Sequence, residues 1–219
     1  MPEHKAKIQE ANIVIRGNFN PQIFQPYWFG IQGLIRKEEV NDANVKIIHP
    51  DIASFSLGWM VLEVTRDRFL LSTSQDAYTE VTRDLALGTF TVLEHTPLKY
   101  LGVNVSKHFE MINEEQWHAL GDILAPKGIW KDLFHKPGMR SLTMEESSRP
   151  DGLKGYTRVT VEPSVKIHPG VYFLVNDHYS VKDPESVTGA EEILAILESE
   201  WYGSVKRSNT IIDSLLEVI

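Results

Sequence analysis

Asn104, His108 and His178 are the residues whose type and position can do chemistry in this 219-residue chain. Asn104 and His108 lie four apart around a predicted strand end in YLGVNVSKHF. One reading makes them polar contacts to a ligand. The other makes Asn104 a structural bridge, since a buried Asn must have its hydrogen bonds met. His178 sits in VNDHYS. It can serve as a general base, because imidazole titrates near neutral pH, or it can belong to a turn in which Asn176 and Asp177 bond local backbone. Adjacent strand residues face opposite ways, so Asp177 and His178 are not expected to act as a pair. His95, in Glu94-His95-Thr96-Pro97, falls at a helix C-terminus, where the helix dipole accounts for it. Arg66, Arg68 and Arg83 can face an acidic ligand, or be solvated cations paired with Asp67 and Asp84.

The remaining motifs are mainly exclusions. The eight histidines show neither H-E-x-x-H nor H-x-H spacing, so no metal site is expected. No P-loop, GxGxxG or GxSxG appears, and no cofactor is implied. Absence of cysteine removes disulfides, thiolate catalysis and Cys-based metal sites. A net charge of −8 and a pI near 5.5 argue against nucleic acid, whose affinity rests on phosphate contacts, and against anionic membranes. Stacking on sheet aromatics would be the remaining route to RNA. The opening MPEHKAKIQEAN lacks the apolar run of a leader, and no stretch approaches the ~20 apolar residues of a membrane helix. The expected setting is therefore cytoplasmic, without a membrane partner.

The elements that would position these residues centre on 59–109. Residues 60–72 have strand composition with a bend or turn near Arg66-Asp67. Ser74 and Asp76 are helix-start residues. Ala77, Val81, Leu85, Gly88 and Val92 then form an amphipathic helical stripe, which Pro97 ends. LKYLGVNV follows as an interior strand.

Before this stretch, ANIVIR reads as a strand. PQIFQPYWFGIQGLIRKEE reads as a buried helix, with one side available to a partner; Pro26 is either tolerated near its start or divides a short turn from the main helix, and Gly30 and Gly33 weaken it. VKIIHP and DIASFSLG supply strands. Beyond Phe109, Asn113 caps a helix carrying Trp117, Leu120, Ile123 and Leu124. Strands at 140–145, 155–165 and 171–179 form an antiparallel meander, with a turn at 147–152. Thr188 and Glu191 have capping-box spacing. From there Ile193, Leu197, Trp201, Val205, Ser208, Ile212, Leu216 and Ile219 hold one helical stripe to the last residue. That stripe must be covered by this chain or by a second copy.

The whole reads as an α+β protein. Antiparallel sheets carry helices on one face, in ferredoxin-like (split βαβ) units, and a long C-terminal helix closes the chain. The order divides into a βαββαβ half, 1–110, and an α-βββ-α half, 111–219, which can also form one continuous domain. No internal sequence repeat is evident.

The phrase YLGVNVSKHF after an amphipathic helix, together with the long C-terminal helix, resembles a group of uncharacterised bacterial proteins. Where that group tends to show Arg-Tyr-x-Asn, this chain has Leu101-Gly102-Val103-Asn104. The resemblance implies a layout and no chemistry. The leading expectation is a non-enzymatic binding or assembly protein acting through protein contacts, as a homodimer, with Trp201, Val205, Ile212, Leu216 and Ile219 at its interface. The alternative is a small-molecule-binding protein or enzyme with a site near Asn104, His108 and His178.

Overall fold

A computed structural model describes residues 5–149 and 151–219. The turn expected at 147–152 includes residue 150, and the opening read for a leader includes 1–4; those positions lie outside the described residues. The strands are β1 (Ile8–Gly17), β2 (Asn44–His49), β3 (Ile52–Ser56), β4 (Val61–Thr65), β5 (Arg68–Thr73), β6 (Leu98–Glu110), β7 (Leu142–Glu146), β8 (Gly155–Pro163) and β9 (Gly170–Ser180). They form one antiparallel sheet in the order β2-β3-β4-β5-β1-β6-β9-β8-β7. The helices are α1 (Pro26–Ile31), α2 (Lys37–Asp42), α3 (Thr79–Val92), α4 (Glu114–Leu124) and α5 (Glu191–Leu216). The α+β class is as expected. No described helix is long and apolar enough to cross a membrane.

Several local expectations change. The strand read at 60–72 is a hairpin, because the chain reverses at Arg66-Asp67. The helix read from Pro21 is broken into a 3-10 turn at Pro21–Ile23, then α1, then α2. Pro26 starts the second piece, and Gly33, at φ +69°, ends it with a backbone conformation that side-chain-bearing residues avoid. Asn113 caps α4 as expected, its Oδ1 accepting from the Gln116 N–H at 2.8 Å. The Thr188–Glu191 box does not form. Ala190 is the cap residue, and the neighbouring Glu192 accepts from the Lys182 N–H at 2.7 Å instead.

Strand alternation divides the sheet into two unlike faces. Ile13, Ile15, Leu71, Phe69, Leu101, Val103, Val175 and Phe173 all point to one face and are buried, beneath α3 and α5. Helix α5 runs unbroken through Gly203 for 26 residues, about 39 Å at 1.5 Å per residue. Its stripe packs on the chain's own sheet. Trp201 joins the larger core cluster, and Ile212 and Leu216 join a smaller one with Val105, Phe109 and Phe173. Val205 and Ile219 lie partly buried at the rims of these clusters. Three of the five side chains proposed to meet a second copy are thus already buried within the chain, because a 26-residue helix spans both clusters.

Candidate functional site

The other sheet face is lined by the alternate residues of the same strands. Register sets Ser72, Asn12, Asn104, Asn176, Arg158 and Glu145 side by side across β5, β1, β6, β9, β8 and β7. The amides form a directional chain. Asn176 Nδ2 donates to Asn104 Oδ1, Asn104 Nδ2 to Asn12 Oδ1 at 2.7 Å, and Asn12 Nδ2 to Glu10 Oε1 at 3.1 Å. Arg158 closes the far end on Glu145, with Nη2 at 2.6 Å from Oε2. Gly102 leaves room for this row: a Cβ there would stand 3.1 Å from Asn176 Nδ2.

Rows on either side carry the histidines. His178 stacks on Tyr156 at 4.5 Å between ring centroids and on Tyr100 at 5.6 Å, with the Arg158 guanidinium over Tyr156. His108 lies 4.6 Å from the Tyr172 ring, and its Nδ1 is 2.8 Å from Ser164 Oγ. Burial, reinforced by Lys166, lowers the pKa of His108. Burial, then Arg158 and Arg149, lowers that of His178. Both rings are therefore neutral near pH 7 and offer hydrogen bonds rather than charge. A depression of about 680 Å3 opens here, with Asn104, His108, Asn176, Tyr172, Glu10 and Lys166 among its lining residues.

The Ser164–His108 contact has the reach of a nucleophile and base. Ser164 Oγ, however, also accepts the N–H groups of Lys166 and Ile167 at 3.1 and 3.0 Å. That hydroxyl pins the 163–167 turn against β6. Among the described residues, no three His, Asp or Glu side chains converge as metal ligands.

Asn104, His108 and His178 thus share one face, although His178 lies outside the depression. The turn offered for Asn176, Asp177 and His178 does not form. Strand β9 instead continues to Ser180, so the two side chains leave opposite faces in mid-strand.

Asp177 is fully buried on the helical face, within a polar network not anticipated from the sequence. Its Oδ1 accepts from Arg149 Nη1 at 2.5 Å and Thr157 Oγ1 at 2.9 Å. Its Oδ2 accepts from Ser204 Oγ at 2.6 Å and Arg207 Nη2 at 2.8 Å. Asp151 accepts from Arg149 as well. Burial would raise the Asp177 pKa, but the bonds from Arg149, Ser204 and Arg207 outweigh it and hold the carboxyl below its usual value. Burial and the nearby Asp177 push Tyr179 up to about 12. With two cations and two carboxylates matched, the network ties Arg149 and Asp151 to β9 and α5. The available signal was a charge in phase with Val175 and Tyr179, facing the small residue Ser204 on α5.

The other candidates are surface features. His95 is 95% exposed in its side chain and 3.7 Å from Glu94. Arg66 pairs with Asp51 at 2.6 Å, whereas Arg16 takes Asp67. Arg68 pairs with Glu63 and Arg83 with Asp84 at 2.7 Å. No family model matches the sequence, and no curated protein matches it.

Proposed function

We propose that this is a non-enzymatic binding or assembly protein that acts through protein contacts made by its open sheet face, with a second copy of the chain as the partner. The observation that carries this reading is the cross-strand polar row centred on Asn104. It spans six strands and forms an extended polar strip instead of converging on a reactive group. Six strands at about 4.8 Å spacing give a face on the order of 25 Å wide, which suits a standard interface of about 800 Å2 per partner. Sedimentation of the purified chain tests it. A dimer that Asn104→Arg converts to monomer is expected; a wild-type monomer, or a dimer indifferent to the substitution, overturns it.

The Ser164–His108 contact beside the depression supports a second reading, a small-molecule-binding protein or enzyme with a site near Asn104, His108 and His178. A small molecule retained in native mass spectrometry, and lost in His108→Ala, would favour it.

The finer fold reading belongs to the same proposal. The order β6-β1-β5-β4 supports a split βαβ unit enlarged by the β2-β3 hairpin. A cytoplasmic setting and kinship with the uncharacterised bacterial group complete it.

A further inference from the structure

Between α4 and β7 the chain leaves an apolar tip in solvent. Ile129 is 77% exposed, Leu133 69%, Phe134 57% and Trp130 43%. The tip is a hydrogen-bonded turn. The N–H groups of Leu133 and Phe134 both donate to the Trp130 carbonyl, at 3.0 and 2.8 Å, and the Trp130 and Phe134 rings stack at 5.8 Å. The same stretch departs from the chain's overall charge. Within a molecule of net charge −8, it carries Lys127, Lys131, Lys136 and Arg140 against Asp132. Lys127 is engaged with Asp122, whereas Lys131, Lys136 and Arg140 are exposed.

We propose that this tip attaches the protein to an anionic lipid surface. Ile129, Leu133 and the two rings enter the headgroup–acyl boundary, and Lys131, Lys136 and Arg140 meet the phosphates. The attachment is to the surface, without a crossing helix. It departs from the expectation raised by net charge because that sum treats charge as evenly spread. Screening within about 10 Å lets the local cationic rim act against the more distant carboxylates. Side chains this exposed stand out from the surface, whereas a site for a partner helix is a groove that shelters its lining. A two-fold contact with a second copy would bring the cationic rims together. This inference is independent of the open sheet face.

Co-sedimentation of the full chain with vesicles tests it. Equal parts phosphatidylglycerol and phosphatidylcholine are compared with phosphatidylcholine alone, at low and high salt. Binding to the mixed vesicles is expected to be about tenfold or more tighter, and to weaken with salt. Lys131→Glu with Lys136→Glu should cost at least about tenfold. Ile129→Glu with Leu133→Glu should abolish binding while leaving the circular dichroism unchanged. A blue shift of tryptophan emission on vesicles should be lost in Trp130→Phe. Absence of sedimentation on the anionic vesicles, or binding retained by both paired variants, overturns the proposal. So does a fall in lipid-free sedimentation coefficient in Ile129→Glu with Leu133→Glu, which would assign the tip to a second copy.

Discussion

Residues 8–92 and 98–216 share one order of elements, with a four-strand meander in the first and a three-strand meander in the second, and have different interiors. Each begins with a strand, β1 or β6, passes through helical turns, makes an antiparallel meander, and ends in a helix, α3 or α5. In each, the last meander strand returns beside the first: β5 beside β1, and β9 beside β6. The two opening strands meet antiparallel at the centre, with Asn12 opposite Asn104. The first copy is filled with rings. Phe19, Phe24, Phe29, Phe55, Phe69 and Phe90 pack at centroid distances of 5.0 to 6.4 Å. The second copy holds the buried charges, Arg149 and Asp177, along with both histidines of the open face and the exposed tip. An apolar interior tolerates local repacking, whereas a buried ion network demands every partner. The contrast assigns stability by volume to one half, and stability by matched polarity to the other.

The sharpest way to break that contrast is Asp177→Ala. Removing the carboxylate leaves Arg149 without its fully buried partner, and a loss of about 3–5 kcal/mol is expected in urea denaturation. A loss under about 1 kcal/mol would mean that water or Asp151 compensates, and the distinction between the halves would fail. Asn104→Ala strands the Asn12 oxygen and the Asn176 amide. About 1–3 kcal/mol is expected, and restoration by Asn104→Gln would show that the amide row itself is not geometrically demanding. Phe69→Leu in the ring cluster changes shape more than polarity and should cost about 1–1.5 kcal/mol; a larger loss would show that the first copy is as intolerant as the second.

Acid should act in two steps, and the buried groups behind both, His108, His178 and Asp177, lie in the second half of the chain. His108 and His178 have folded pKa values lowered below the usual ~6.5. The unfolded chain therefore takes up protons first as pH falls through that value, and stability declines there. The Asp177 value lies below 3.8. Its contribution is complete above pH 3.8 and is lost as pH falls through the folded value. Thermal midpoints recorded against pH in the wild type and in His108→Gln with His178→Gln should differ in the first step only.

Much of this architecture is legible in the chain itself. Alternation in LKYLGVNV, the Asn113 cap and the long C-terminal periodicity follow from local sterics and burial, and each corresponds to an element. The helix ending at Val92 forms as well, but it buries Thr82, Leu85, Ala86, Thr89 and Phe90 and leaves Val81 and Val92 of the expected stripe exposed. The topological repeat is not legible. It resides in strand order, while the side chains filling the two copies differ. The Thr188–Glu191 spacing misleads because Ala190 takes the cap position and Glu192 reaches the Lys182 amide.

Asn104 and His108 share a face by sequence spacing alone, since strand period sets it. Bringing Asn12, Asn176 and Arg158 alongside Asn104 requires the registers of four strands, which depend on contacts remote in sequence. The same is true of Asp177. Its neighbours in VNDHYS look like turn residues, and only the packing of α5 across β9 brings Ser204 and Arg207 to its carboxylate. Composition and periodicity determine which faces are apolar, because solvent acts on each segment separately. Which polar groups meet is decided by long-range pairing, since hydrogen bonds and ion pairs depend on distances that no single segment controls.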